Sequence, residues 1–143
     1  MTGKPSLESL LAANRKFYKV FENQDMVAMG ELWEDSDRVY CVHPGWPPIR
    51  GLRPVLDSWR SIMSNTEEIY FELAHEKGWV EGLIGGVVLQ ERIQNKVDQE
   101  RQTSVAVATN LFSFDPIAGV WQIFHHHASH SPMEEEALGG LLV

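Results

Sequence analysis

Histidines are the residues of this sequence best suited to chemistry near neutral pH. His43 stands directly before Pro44, and His125, His126 and His127 follow one another near the end of the chain. An imidazole has an unperturbed pKa near ~6.5, so it can take up and release protons at neutral pH. We therefore expect His43 to act as a catalytic acid or base. The alternative is a histidine that only caps or hydrogen-bonds the end of a strand.

The spacing of the later histidines predicts a polar row on one face of a strand. His125 and His127 are two residues apart, and Ser129 is the next residue with the same phase, so all three project to one side. We expect that side to face a ligand cavity, where two imidazoles and a hydroxyl would bind a ligand. Two alternatives stay open. The row can form a hydrogen-bonded ladder in a sheet or at a subunit interface, or the opposite phase can turn His126 and His130 inward.

The same histidines permit a metal site. His125, His127 and His43 could supply three nitrogen ligands and leave one position open. No motif places a carboxylate beside them, and isolated His-x-His pairs are common. We therefore expect neither a metal nor another cofactor.

Three tryptophans, Trp33, Trp46 and Trp59, fall on segments that would surround a pocket. Helical spacing makes Trp33 and Trp59 candidates for the core as well as for ligand contact. Trp46 lies among prolines in the loop after His43, where an aromatic side chain at an opening can contact a ligand. We treat all three as candidate ligand-binding residues.

The elements that position these residues change type along the chain. Helical periodicity predicts a first helix over residues 7–21 with Ser6 as its N-cap. Asp25 is suited to cap a short second helix that ends near Glu34, and a third helix is predicted over residues 51–65.

Strand-forming residues dominate the rest of the chain. Strands are predicted over residues 38–43, 69–75, 79–94, 102–114 and 120–129, with turn signals at residues 76–78, 95–99 and 115–119. Three helices followed by long antiparallel strands predict an α+β domain. Its helices would cover one face of a curved, mostly antiparallel sheet and leave a cavity beneath them.

Length and charge narrow the possible partners. With 143 residues, the chain has the size of one domain, 1–143, with its core at about 7–132. Twelve Lys and Arg against 20 Asp and Glu leave a net charge of -8, and scattered basic residues do not suit nucleic acid. The longest apolar stretch, residues 82–89, is far short of the ~20 residues of a membrane span, so no membrane contact is expected.

A single cysteine, Cys41, suits a reducing compartment, and we expect a cytoplasmic location.

The predicted strand over residues 102–114 is apolar on both faces. Val105, Val107 and Leu111 form one alternating set, whereas Ala106 and Phe112 belong to the other. A sheet with one face in water would alternate apolar and polar residues. We therefore expect the uncovered face to pair with a second subunit in a twofold-symmetric homodimer.

This order of elements, with the segment WQIFHHHASHSP over residues 121–132, resembles the nuclear transport factor 2-like superfamily over about residues 7–132. The segment is similar to the Trp-x-x-x-His-x-His-x-Ser-x-x-Pro strand of SnoaL-like proteins and of the calcium/calmodulin-dependent protein kinase II association domain. The resemblance implies a cone with an internal cavity. The superfamily contains isomerases, dehydratases, polyketide cyclases, transport factors and oligomerisation modules, so the fold alone does not define the function.

A comparison with the ketosteroid isomerase branch assigns roles to particular residues. That branch has a catalytic aspartate before a proline, which corresponds here to His43-Pro44. Its second aspartate, a hydrogen-bond donor to the oxyanion, corresponds to Asn110. The resemblance thus implies His43 as the base and Asn110 as the donor. The family's tyrosine donor corresponds to about Phe17, which has no hydroxyl, and Tyr18 is expected on a different helix face.

Two classes of function follow from these residues. In the first, the chain is an enzyme of isomerase, cyclase or dehydratase type that acts on a small apolar or aromatic molecule without a cofactor. His43 would move a proton α to a carbonyl, and Asn110 with a strand histidine would stabilise the enolate. In the second, the chain is a non-catalytic ligand-binding or oligomerisation module whose polar residues orient a ligand or hold an interface.

Overall fold

The structure is a computed structural model that describes residues 4–131. Pro132, which ends the tail motif, and the outer limits of the predicted domain 1–143 lie outside the described residues. No helix within residues 4–131 is long and apolar enough to cross a membrane.

Three helices lie at the positions that the periodicity predicts: α1 (Leu7–Glu22), α2 (Met26–Leu32) and α3 (Leu52–Ser64). The Ser6 hydroxyl accepts a hydrogen bond from the backbone N–H of Ser9, and the Asp25 carboxylate accepts one from that of Ala28. These contacts satisfy backbone donors that the first helical turn leaves unpaired. The second helix ends two residues before Glu34, the end that we predicted.

The strands are β1 (Tyr40–Val42), β2 (Ile49–Arg50), β3 (Glu68–Glu81), β4 (Ile84–Val97), β5 (Glu100–Asp115) and β6 (Val120–His130). They form one curved, unclosed sheet in the order β2-β1-β6-β5-β4-β3. Every neighbouring pair is antiparallel except β1 and β6, which are parallel. The predicted α+β class with a mostly antiparallel sheet is confirmed.

The turn predicted at residues 76–78 is wrong, because β3 runs through it. The register against β4 shifts between Ala74 and Lys77, which marks a β-bulge, and His75 has a φ of 55°. The chain reverses instead near Gly82, which has a φ of 60°. Glycine adopts this conformation at little free-energy cost because it has no Cβ atom. Bulges and turns draw on the same residue types, and so the composition at residues 76–78 suited both.

The sheet separates a covered inner face from an open outer face. Along β5, Ala106, Ala108, Asn110 and Phe112 are buried on the inner face, whereas Val107 is 49% exposed on the outer face. The three helices pack against the inner face and enclose the core with it.

Helix α1 approaches the sheet through two glycines. A Cβ atom built at Gly85 would lie 2.8 Å from Leu10, and one at Gly78 would lie 2.9 Å from Leu7. The absence of side chains there lets α1 lie directly on β3 and β4. Its last two turns then bring Phe17 into the wall of a cavity beneath the helices.

Candidate functional site

A cavity of about 650 Å³ lies between the helices and the inner face of the sheet. Part of its wall is aromatic and includes Phe17, Phe21, Trp59 and Phe71. Another part is polar and includes His43, Glu91, His126 and His130. This size and this mixture of apolar walls with a few polar groups are typical of small-molecule sites.

His43 follows β1 and lies in the cavity wall, 3% exposed. Its Nε2 lies 2.8 Å from the Ser58 hydroxyl oxygen, while that hydroxyl donates its own proton to the carbonyl of Val55 at 2.6 Å. The Ser58 oxygen must therefore accept from His43, which places the imidazole proton on Nε2 and the lone pair on Nδ1. Burial lowers the pKa of His43 to about 4, so at pH 7 the ring is neutral and has a lone pair that can accept a proton, as a weaker base than an exposed imidazole.

Two of the three candidate tryptophans lie beside His43. The rings of Trp46 and Trp59 contact the His43 ring edge to face, with centroids 5.1 and 4.7 Å away. Trp46 is 41% exposed and stands at the edge of the cavity, whereas Trp59 is buried in its wall. Trp33 instead packs in the core beside Phe17 and lies outside the cavity wall, so the structure does not support ligand contact by Trp33.

The predicted inward row on β6 faces the wrong way. His125 stacks on Tyr40 on the outer face of the sheet, with ring centroids 5.2 Å apart, and His127 and Ser129 are exposed. His126 and His130 line the cavity in their place. The opposite phase, the alternative left open by the sequence, is the one that the structure adopts.

A β-bulge in β6 sets this phase. Ile123 is buried on the inner face, so simple alternation would also turn His125 inward. Phe112 of β5 pairs with Ile123, but the preceding residue, Leu111, pairs with His125. Phe124 is thus an extra residue, and one extra residue moves every later side chain to the opposite face.

His126 begins a chain of buried hydrogen bonds. Its Nδ1 lies 2.6 Å from the side-chain oxygen of Asn110. The Asn110 amide nitrogen donates to Asn14 at 2.9 Å and to the hydroxyl oxygen of Tyr18 at 3.1 Å, and Tyr18 donates to Glu91. Because the amide nitrogen of Asn110 uses both protons, its oxygen accepts from His126, and the His126 lone pair lies on Nε2.

This arrangement changes the role expected for Asn110. The side chain is fully buried behind the cavity wall, and both of its N–H groups already have acceptors. It has no donor left for a ligand oxyanion. The structure thus makes Asn110 a residue that positions His126 and Tyr18, contrary to the donor role that the resemblance implied.

Tyr18 also departs from the expectation, since its hydroxyl lies at the cavity. Phe17 and Tyr18 both line the cavity because the end of α1 is enclosed from two sides. The Tyr18 ring packs on Phe71 of β3 with centroids 5.0 Å apart, and the Phe17 ring packs on Trp59 of α3 at 5.5 Å.

Glu91 is a site residue that our sequence analysis missed. It is 3% exposed and stands in the cavity wall on β4. A signal was present, because Glu91 continues the inward alternation of Val87 and Leu89 along a strand. A carboxylate at a core position is rare unless it is paired, and here Tyr18 is its partner.

The electrostatics of the polar wall follow from burial. Burial raises the pKa of Glu91 to about 7, against the lowering effect of the Tyr18 hydrogen bond. Burial also lowers the pKa of His126 well below its usual value, and burial with the Glu91 charge raises that of Tyr18. The wall therefore combines two neutral histidines, His43 and His126, and a neutral phenol with one carboxyl group that titrates near neutral pH.

The histidine triad considered as a metal site is not brought together. His43 faces the cavity, whereas His125 and His127 lie on the opposite face of the sheet. Within residues 4–131, no group of three or more His, Cys, Asp or Glu side chains could hold a metal ion.

A helix-covered curved sheet with a cavity of this kind defines a class of cone-shaped domains. The chain belongs to the SnoaL-like domain family, whose model matches residues 10–134. The resemblance to the nuclear transport factor 2-like superfamily is therefore confirmed.

Solved structures are similar to this chain over most of its length, and one curated protein is similar to it over part of its own length. A candidate dehydratase of the nuclear transport factor 2-like family from Streptomyces avermitilis is 34% identical, with a TM-score of 0.82 over 89% of this chain and 96% of that one. A candidate calcium/calmodulin-dependent protein kinase type II association domain from Thiobacillus denitrificans is 26% identical, with a TM-score of 0.71 over 92% and 99% of the two chains. F-box protein SKIP8 of Arabidopsis thaliana is 24% identical over 121 residues, which are 85% of this chain. This chain covers only about half of that protein, 49% of its length.

Proposed function

We propose that this chain binds a small apolar or aromatic molecule in its cavity and catalyses cofactor-free proton transfer on it, of the isomerase, cyclase or dehydratase type. One observation carries the proposal: His43 and Glu91, a neutral base and a carboxyl group, share a cavity with an aromatic wall. The similarity to a candidate dehydratase at 34% identity supports this class of reaction.

In the proposed mechanism, His43 is the base. Its Nε2 proton is held by Ser58, so Nδ1 takes the proton from a carbon α to a carbonyl. Negative charge then develops on an oxygen of the substrate. Because both protons of the Asn110 amide are engaged, the donor to that oxygen is the protonated carboxyl group of Glu91, which Tyr18 holds in place.

A dehydration assay tests this mechanism. The aldol adduct of acetone and benzaldehyde loses water to give a conjugated enone, which UV absorbance detects. We expect His43→Ala to lower kcat by about 100-fold or more, as is typical for loss of a general base. His127→Ala, on the outer face, is the matched control and should leave kcat unchanged. Unchanged turnover in His43→Ala would remove His43 from the mechanism.

The alternative is a non-catalytic module, and one observation favours a role in assembly. Trp79, Val88 and Val107 leave between 42% and 49% of their surface exposed on the outer face of the sheet. We propose that this face pairs with a second copy of the chain in a homodimer. Light scattering with size-exclusion chromatography at micromolar concentration tests the pairing, and a monomer would contradict it. Dimers that bind the adduct without turnover would favour the non-catalytic alternative.

We also propose a cytoplasmic location. The described residues contain one cysteine, Cys41, which is buried and unpaired, and free buried thiols are typical of reducing compartments. Fractionation of cells that express the tagged natural protein tests this location, and recovery outside the cytosol would contradict it.

A further inference from the structure

Histidines in the polar wall of the cavity present hydrogen-bond acceptors, while Trp59 in the aromatic wall carries a buried N–H without a partner among the described residues. Asn110 holds the proton of His126 on Nδ1, so its Nε2 carries a lone pair. Among the described residues, Nε2 of His126 has no hydrogen-bond partner. Ser58 likewise leaves the lone pair of His43 on Nδ1, where the buried Cys41 thiol, a weak donor, lies 3.9 Å away. A ligand group that satisfies these atoms must donate a proton.

The charge of the wall excludes anions. Among the described residues that line the cavity there is no Lys or Arg, and Glu91 is the one carboxyl group. A ligand carboxylate or phosphate would lose its hydration beside Glu91 without gaining a positive partner, which is costly. The cavity therefore disfavours anionic ligands while it accepts neutral ones.

The aromatic part of the wall lies next to these acceptors. The His126 ring stands 5.1 Å from Phe17 and 5.8 Å from Trp59, centroid to centroid, and 6.3 Å from His43. A flat apolar ring bound here would bring a hydroxyl substituent to the histidine while its carbon atoms pack on the aromatic side chains.

We propose that the ligand of this cavity is a neutral aromatic alcohol or phenol whose hydroxyl donates to Nε2 of His126, and that Glu91 excludes carboxylates and phosphate esters. This inference rests on the proposed function, since it names the ligand class of the same cavity. Asn110 acts as a positioning residue, because its oxygen keeps the His126 proton on the far side of the ring.

Three probes that share one ring system test the ligand class. β-Naphthol carries a hydroxyl, β-methylnaphthalene carries no polar group, and β-naphthoate carries a negative charge. By isothermal titration calorimetry at pH 8, where Glu91 is mostly ionised, we expect β-naphthol to bind about 10-fold more tightly than β-methylnaphthalene, the effect of one hydrogen bond to a buried acceptor. We expect β-naphthoate to bind more weakly than both.

Variants test which residues cause the differences in affinity between the probes. His126→Phe keeps a ring but removes the lone pair, so β-naphthol should lose its 10-fold advantage while the affinity for β-methylnaphthalene persists. His127→Phe, the next residue on the outer face, is the matched control and should keep the advantage. Glu91→Gln removes the charge and should raise the affinity for β-naphthoate about 10-fold or more. This second variant tests the inference even if His126→Phe does not fold.

The outcomes separate the inference from the proposed function. Equal affinities for β-naphthol and β-methylnaphthalene, or tight binding of β-naphthoate by the unmodified protein, would overturn the ligand class and leave the cavity as a binding site. An unchanged β-naphthol advantage in His126→Phe would overturn the assignment to His126. If neither β-naphthol nor β-methylnaphthalene binds, the proposed function itself fails.

Discussion

Ser58 decides which nitrogen of His43 is basic. Its hydroxyl proton is used by the Val55 carbonyl, so its oxygen can only accept from Nε2 of the imidazole. We expect two-bond ¹H–¹⁵N NMR spectra to show His43 as the Nε2-protonated tautomer, and Ser58→Ala to give a mixture of tautomers. Ser64→Ala, on the exposed side of α3, is the control. An Nδ1-protonated ring in the unmodified protein would contradict the assignment.

Glu91 makes the stability of the fold depend on pH. Its pKa rises from 4.5 to about 7 on folding, so between these values the folded state binds more protons than the unfolded state. Stability contributed by this group therefore falls as pH rises through that window, and the full cost above pH 7 is roughly 3 kcal/mol.

We therefore expect Glu91→Gln to be more stable than the unmodified protein at pH 8 and to have similar stability near pH 4.5. The glutamine oxygen still accepts from Tyr18, so the hydrogen bond survives the change. Urea unfolding at the two pH values measures the difference, with Glu100→Gln at an exposed position as the control. The pKa of His43 falls to about 4 on folding, so His43 changes the free energy of unfolding with pH in the opposite direction. That contribution is the same in both proteins, so it does not affect their difference. Equal stabilities at pH 8 would contradict the burial of a charged Glu91.

At the scale of elements, close packing of α1 on the sheet depends on Gly85. A Cβ atom there would lie 2.8 Å from Leu10 and 3.3 Å from Trp121, both of which are buried. We expect Gly85→Ala to lower the free energy of unfolding by about 1–3 kcal/mol, the usual cost of overpacking. Gly30→Ala, whose Cβ would meet only Leu56 at 3.9 Å, is the matched control and should not destabilise. Equal unfolding midpoints in urea for both variants would contradict this role of Gly85.

Which elements form was predictable from the sequence, because helical and strand periods are local properties. The caps Ser6 and Asp25 and the inward alternation along β5 are examples, and the structure contains all of them. The phase of β6 was not predictable from alternation, since the extra residue Phe124 is defined only by its pairing with β5. Such a register belongs to two strands together and leaves no pattern in either strand alone.

Only part of the candidate site was predictable, because the hydrogen-bond partners of a side chain can lie far away in the sequence. His43, Trp46 and Trp59 line the cavity as their segments suggested. The hydrogen bonds of Asn110 depend on Asn14, which is 96 residues away in the chain. A residue type tells what a side chain can donate, but only its partners tell whether a donor is still free.

At the scale of the whole molecule, the outer face of the sheet is where we expect a second copy to bind. Val107 stands on β5, a central strand of that face, and is 49% exposed. We expect Val107→Glu to shift the proposed dimer to monomer at micromolar concentration, because two copies of a buried, unpaired charge would face each other. Sedimentation velocity measures the shift, and Glu100→Gln serves as the control. A dimer that persists in Val107→Glu would place the interface elsewhere.

The bulge at Phe124 also bears on how such a chain can evolve. The run from His125 to His130 carries two sets of polar side chains, one turned to the cavity and one turned outward. A strand that kept Phe124 but lost the bulge would pair Asn110 with His125 and exchange the two sets. Loss of the single codon for Phe124 would instead remove the bulge and leave His126 and His130 turned to the cavity, so a SnoaL-like chain can lose this residue and its bulge together and keep the same histidines in its site.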